Sequence, residues 1–262
     1  MKLLVLGGSE FVGRTAVEHA LDLQWNVTVL NRGTTPSDPR VNQLRGDRRA
    51  TDGLNAIREG YWDMVFDTWS WEPSAVERSS ATLVGRVDSY IYVSSRSVYD
   101  APEAGANETW PTVHGPGEDY ARCKLGGEQA AAAAFGARAL LVRAGLILGP
   151  YENIGRLPWW LNRIERAGDV LAPGPADLAL QYVDARDLVA WSLDAAARGL
   201  GGAYDVVSRP GHATIDDVLQ ACIQATRSDA RLCWVEPDVL SAAGVQPWTE
   251  LPIWIPPGAD HD

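Results

Sequence analysis

Apolar residues run along this chain in short unbroken blocks, separated by stretches in which they recur every three to four positions. Lys2-Leu3-Leu4-Val5-Leu6 is the first block. It has no polar face, as expected of a strand covered on both sides in a parallel sheet. After Gly7-Gly8-Ser9-Glu10-Phe11-Val12-Gly13, the residues Val12, Ala16, Val17, Ala20 and Leu21 fall on one side of a helix. Residues 26–30, 41–46 and 62–67 read as further strands. Pro73 opens a helix reaching about Gly85. Residues 89–93 form a fifth strand, ending in Ser94-Ser95. A helix holding Tyr120 and Lys124 continues through an alanine run to Ala134, and 139–142 is a sixth strand. Gln181-Tyr182-Val183 begins a shorter strand, followed by a helix through Leu188 and Leu193. The Pro- and Trp-rich stretches 150–175 and 237 to the end read as irregular. Strands alternating with helices predict an α/β fold with a doubly wound parallel sheet. The expected division is a dinucleotide-binding domain over 1–150, completed by 176–210, and a small C-terminal substrate cap from 151–175 and 211–262. The irregular stretches are expected over the carboxyl ends of the strands, where open α/β sheets bind ligands.

Strand, glycine turn and helix in immediate succession are the context a dinucleotide fingerprint requires. Gly7, Ser9, Glu10, Phe11, Val12 and Gly13 are therefore candidate cofactor residues, with N–H groups at the helix start receiving a pyrophosphate. The second strand ends in Asn31-Arg32-Gly33. An NAD site usually has an acid there, whereas Arg accommodates a 2′-phosphate. Asn31 and Arg32 thus predict NADP(H), with Arg14 in support. The arginines of Leu44-Arg45-Gly46-Asp47-Arg48-Arg49 form the densest basic cluster and suit a cofactor phosphate. Asp47 and Arg48 join the cofactor set, as does Thr68 at the end of the fourth strand.

Two of the 23 basic side chains are lysines, and one is Lys124, four residues after Tyr120. Arg is a wide planar fork and Lys a slim point charge, so this exception marks a place where only a point charge fits. Side chains four apart share a helix face. An ammonium beside a phenol lowers the phenol's pKa, and a phenol so tuned can exchange a proton with a substrate oxygen.

The net charge of −11 argues against a nucleic-acid partner. Cys123, Cys222 and Cys233 are scattered and fit a reducing compartment. Cys123 reads as a packed thiol, and His114 as a surface loop residue. His19, His114, His212 and His261 show no metal-ligand spacing, so no metal is expected. No apolar run approaches a membrane span, and the start is too short for a signal peptide, which predicts a cytoplasmic protein. Trp69 and Trp71 follow a strand end, and Trp159-Trp160 lie in the expected cap. Trp69, Trp159 and Trp160 are the candidate substrate contacts, and they point to a ring-bearing or apolar small molecule.

These motifs, in this order, resemble the short-chain dehydrogenase/reductases of the extended or atypical NAD-dependent epimerase/dehydratase type. The likeness covers roughly residues 1–193. It rests on the glycine turn, Asp47, Tyr92-Val93-Ser94-Ser95-Arg96-Ser97-Val98-Tyr99, Tyr120 with Lys124, Arg143-Ala144-Gly145-Leu146-Ile147-Leu148-Gly149-Pro150 and Tyr182-Val183-Asp184-Ala185-Arg186-Asp187. It implies a Rossmann-like fold and adenine contact at Asp47. The catalytic serine, four before the closing Tyr, would be Ser95, with Ser94 as fallback. Lys124 would hold cofactor ribose as well as tune Tyr120. Three departures stand out. Glu10 replaces the usual middle glycine, which a solvent-facing side chain would reconcile with a phosphate. The segment after Arg143 lacks the Asn common in nucleotide-sugar epimerases. The Thr-Asp-Glu set of a dehydratase is absent. The chain also looks shorter than those epimerases, which implies a small cap. The expected activity is an NADP(H)-dependent reductase or dehydrogenase acting on a hydroxyl/carbonyl group, as a monomer or homodimer. The alternatives are an epimerase working through a transient ketone, or an NADP-binding protein without turnover.

Overall fold

A computed structural model describes residues 1–115 and 117–256. They divide into two compact units, one of residues 1–151 and 183–206, the other of 152–182 and 207 onward. The first unit is built on β1 (Lys2–Leu6), α1 (Phe11–Asp22), β2 (Asn26–Asn31), β3 (Asn42–Arg45), β4 (Trp62–Asp67), α2 (Pro73–Leu83), β5 (Val87–Ser95), α3 (Tyr120–Phe135) and β6 (Ala139–Ala144). A helix, Ala185–Ala197, and a seventh strand, Gly202–Val206, complete it. From the seventh strand the sheet order is then β6-β5-β4-β1-β2-β3, and every pairing is parallel.

The unbroken apolar blocks are explained by the two cores. Successive side chains of a strand face opposite ways, and here both ways are dry. Leu3, Val5, Val27, Val29, Phe66, Ile91 and Val93 pack with α1 and the 185–197 helix. Leu4, Leu6, Leu30, Val65, Tyr90 and Tyr92 pack with α2 and α3 through Val76, Leu83, Ala131 and Phe135. The Tyr90 and Phe135 rings stack at 4.6 Å between centroids. Strand order reverses at β1, which has β2 on one side and β4 on the other. That switch point opens a crevice at the carboxyl ends of the strands, with α1 starting at its edge. The architecture is a Rossmann-like α/β fold.

The elements depart from expectation in three places. The strand Gly202–Val206 begins on glycine and carries Tyr204 and Asp205, so no apolar block announces it. The strand expected at 181–183 is Tyr182–Asp184 and lies outside the seven-stranded sheet. The stretches read as irregular hold two helices, Leu157–Glu165 and Pro237–Ala242, and a strand, Asp169–Pro173. Their prolines sit in first helical turns, where no N–H is needed, so they start helices instead of breaking them.

In the second unit, Asp169–Pro173 pairs in parallel with Arg231–Val235, and the helix Leu157–Glu165 packs on the helix Ile215–Thr226. Trp160 and Trp254 are fully buried there. Their indole N–H groups donate to the carbonyls of Pro252 and Gly174, so neither leaves a polar atom stranded. His261 and the end of the expected cap stretch lie outside the described residues. Among the described residues no helix is long and apolar enough to cross a membrane, and no group of three or more His, Cys, Asp or Glu is placed to hold a metal.

Candidate active site

At the end of β1 the chain turns on Gly7 (φ +121°) and Gly8 (φ +85°), and the Gly7 N–H donates to Leu30 O at 3.0 Å. A β-carbon on Gly13 would stand 2.8 Å from the Gly8 nitrogen, so only glycine lets α1 start this close to the turn. Thr68, just past β4, brings its hydroxyl oxygen within 3.3 Å of a β-carbon built on Gly7. Phe11 opens α1 at φ +35°, a conformation side-chain-bearing residues rarely adopt. The side chains of Phe11 and Val12 are buried in the core, which leaves the backbone as the part of them a ligand at the turn could meet. No side chain caps α1: Glu10, the N-cap, makes no capping bond and is exposed. The first N–H groups of a helix lack intrahelical partners. These groups, with the helix dipole, suit the oxygens of a pyrophosphate, so the residues present fit a dinucleotide.

Asn31, at the end of β2, is spoken for. Its amide donates to Ser9 Oγ (2.8 Å) and Ser37 Oγ (3.2 Å), and its carbonyl oxygen accepts from Gly33 N–H and the Gln43 amide. It thereby ties the glycine turn to the next strand end. Arg32 is exposed. The Arg45 guanidinium lies beside it, 2.9 Å from a β-carbon built on Gly33. Asp47 is half-buried and accepts from Arg49 N–H at 3.0 Å. Arg48 departs from its expected role. It is 6 % exposed and clamps the fully buried Asp67 with two bonds of 2.5 and 2.6 Å, while its Nε donates to Ser79 Oγ. A guanidinium with its fork spent on a buried carboxylate is a structural strut between β4 and α2, not a phosphate ligand.

Asp67 is the hub of this corner. Besides Arg48 it accepts from the Tyr90 hydroxyl (2.5 Å) and from Trp69 N–H (2.9 Å). Trp69 likewise departs from its expected role as a substrate contact. Its indole lies 5.2 Å from the Arg48 guanidinium and packs on the α2/α3 core, and its N–H donates to Glu72 O. Its backbone does more than its ring: Trp69 O accepts from both Lys124 Nζ (2.7 Å) and the Tyr92 hydroxyl (2.9 Å).

Lys124 is 2 % exposed, and its second bond goes to Val93 O at 2.7 Å. It therefore pins α3 to β5 and to the end of β4. Its Nζ stands 5.1 Å from the Tyr92 ring centroid and 5.9 Å from that of Tyr120. Burial pushes the ammonium from its ordinary 10.5 down to about 7, against the pull of Asp67 and Glu128. Tyr120, the first residue of α3, is 40 % exposed. Asp119 caps the helix by accepting from Arg122 N–H. Ser95 ends β5. Its hydroxyl donates to Ser97 Oγ and accepts from Ser97 N–H, each at 3.1 Å. Strand alternation puts Ser95 on the side of Val93, and Ser94 on the side of Tyr92, where its buried hydroxyl has no hydrogen-bond partner among the described residues.

The remaining tryptophans sort by exposure. Trp160 is core, as described, and its burial leaves no face for a substrate, contrary to expectation. Trp159 is 38 % exposed and meets the Trp160 ring edge-on at 4.7 Å. Trp71, and not Trp69, is the open indole of this loop: it is 56 % exposed and meets the Tyr120 ring edge-to-face, centroids 6.0 Å apart. The Trp-x-Trp spacing gave no sign that the two indoles would part, since residues two apart share a face of a strand and a loop sets no such rule. Ser97 as holder of Ser95 was marked only by the Ser-x-Ser repeat.

Residues 74–206 match the model of the NAD dependent epimerase/dehydratase family. An uncharacterized Sinorhizobium fredii protein, y4nG, is 26 % identical over 249 residues, covering 87 % of this chain. The chain spans 61 % of that relative's length. Among solved structures, a Thermus thermophilus UDP-glucose 4-epimerase in complex with NAD superposes with a TM-score of 0.69 at 21 % identity, over 97 % of both chains. A UDP-N-acetylglucosamine 4-epimerase from Bacillus cereus gives 0.72 at 16 % identity, over 90 % of this chain and 88 % of that one. The Bordetella bronchiseptica enzyme WbmF in complex with NAD+ gives 0.69 at 17 %, over 89 % and 81 %. At these identities the superpositions establish a shared fold.

Proposed function

The chain belongs to the NAD-dependent epimerase/dehydratase family, and from that premise we propose that it is an NADP(H)-dependent reductase or dehydrogenase acting on a hydroxyl/carbonyl group of a small cyclic or apolar metabolite. The observation that carries this reading is the seat of Lys124. A buried ammonium held by the carbonyls of Val93 and Trp69 fixes the Tyr120 end of α3 against the ends of β4 and β5. Nicotinamide, when bound, supplies or takes the hydride. Tyr120 gives its phenolic proton to the carbonyl oxygen and recovers it in the reverse direction. Ser95, held in place by the Ser97 N–H, turns its O–H away from Ser97 Oγ to donate a hydrogen bond to that oxygen. The Lys124 charge favours the phenolate left on Tyr120. The uncapped start of α1 receives the pyrophosphate, and the exposed Arg32 with Arg45 beside it favours a 2′-phosphate.

Tyr120→Phe tests the proton transfer. Cofactor affinity should hold while turnover falls by about a hundredfold to ten-thousandfold; full activity would make the pair structural. Arg32→Ala tests the cofactor. Calorimetry should show wild type binding NADPH about tenfold or more tighter than NADH, from one charge-assisted contact, and the variant losing that gap. Equal wild-type affinities would remove NADP from the reading. The second reading, an epimerase acting through a transient ketone, is favoured by the family match and by the epimerases that share the fold.

A further inference from the structure

The loop between β4 and α2 carries two tryptophans used in opposite ways. Trp69 is spent inward, on Arg48, Glu72 and the α2/α3 core. Trp71, two residues on, leaves 56 % of its surface open and sets its ring against Tyr120 at 6.0 Å and 70°. The backbone beneath it is firmly held. Trp69 N–H is bound to Asp67, Trp69 O takes two donors, Ala75 N–H donates to Glu72 O, and Pro73 starts α2. An exposed indole on a pinned loop, touching the phenol that would transfer the proton, has lost its own freedom before any ligand arrives. Stacking on such a ring therefore costs less ordering than stacking on a mobile one.

Charge narrows the ligand. The Cys123 thiol, one turn into α3, is pushed up first by burial and then by the carboxylates of Asp119, Glu72 and Glu118. Of these, Asp119 is paired with Arg122 and Glu72 stands 3.9 Å from Arg49. These two arginines are already matched by carboxylates, so this end of α3 offers no net positive charge to a phosphate or carboxylate on the substrate.

The geometry points to Trp71 as the residue that binds substrate by stacking, with the face of its indole taking a neutral aromatic ring attached to the carbonyl that Tyr120 protonates. This rests on the reductase reading and names its substrate class, a neutral aryl ketone or aldehyde.

The test uses two ketones of one carbon skeleton, acetophenone and cyclohexyl methyl ketone, with the NADPH-loaded protein. Binding is followed by calorimetry and turnover by NADPH consumption. Wild type should bind the aryl ketone about three- to tenfold more tightly, the margin that aromatic pairing adds beyond buried area. Trp71→Ala should erase the gap and Trp71→Phe keep most of it. NADPH affinity reports folding. If Trp71→Ala loses it, Trp71→Leu, which keeps bulk without a π face, gives the same comparison. Equal affinities in wild type, no binding of either ketone, or a gap that survives Trp71→Ala and Trp71→Leu would overturn the proposal. A gap that behaves as expected with no NADPH consumed from either ketone would leave Trp71 as the stacking residue and reject the reductase reading, so the two can fail separately.

Discussion

Lys124 is costly to keep as a buried charge. The unfolded chain would hold its proton up to about pH 10.4, whereas burial lets the folded protein release it near pH 7. Between those values the unfolded state binds more protons than the folded one, so stability rises with pH across this window. Below about pH 7 both states are protonated and the full penalty of a buried charge applies. Two hydrogen bonds to carbonyls offset part of that penalty. The expected outcome for Lys124→Met follows from this balance. Its stability curve should lose the upward slope between about pH 7 and pH 10, a slope of at most about 1.4 kcal/mol per pH unit for one group. Turnover should fall by about a hundredfold or more. Urea midpoints of both proteins from pH 6 to pH 9.5 check it. Parallel curves would mean that folded Lys124 keeps its proton across this window, as an unburied lysine does.

Gly126-Gly127 lets α3 lie close against Tyr92 of the sheet and Pro73 of α2. A β-carbon on Gly127 would overlap the Tyr92 hydroxyl, and one on Gly126 would press on Pro73. Each glycine costs a helix interior about 1 kcal/mol relative to alanine, and what it returns is the reach of Lys124 to Trp69 O and Val93 O. Gly127→Ala should therefore destabilise the protein by about 1–3 kcal/mol despite its better helix propensity. It should also lower turnover, since Tyr92 shares Trp69 O with Lys124. Thermal melts and steady-state rates together decide it; an unchanged or raised melting temperature would mean the Tyr92 contact yields freely. The same element shows what was legible in the chain. Strands β1, β2, β4, β5 and β6, the glycine turn, and helices α1 to α3 follow from unbroken apolar blocks and from glycine and proline placement, all local signals. The strand Gly202–Val206 does not, because its stability comes from its neighbour β6 and not from its own composition. In the site, Gly7, Gly13, Ser95, Tyr120 and Lys124 stand in recognisable spacings. What spacing cannot carry is the partner: Arg48 sits beside Asp47 in the chain yet finds Asp67, and Trp69 and Trp71 differ only in which way the pinned loop turns them.

At the scale of the whole molecule, the fold is shared with enzymes that differ in where the hydride ends. A reductase must exchange its nicotinamide at every turnover, while an epimerase returns the hydride to the molecule that lent it and needs none from solution. Two features of this chain favour exchange. The segment after Arg143 lacks the Asn common in nucleotide-sugar epimerases, and the arginines near Glu72 and Asp119 are matched by those carboxylates and so offer no net positive charge to the diphosphate such sugars bring. The protein is therefore expected to lose its cofactor on dilution and to consume NADPH in step with product. The measurement is absorbance of the reduced nicotinamide during turnover of a carbonyl substrate, with deuteride-labelled NADPH and mass analysis of the product. One deuterium per product molecule, matched by one NADPH oxidised, is the expected result. Product that forms with no net NADPH loss and no label would move the assignment to epimerisation. The roles of Tyr120 and Lys124 would survive that move, because lifting a hydride from an alcohol carbon and returning it to a ketone both require the same proton to leave and come back.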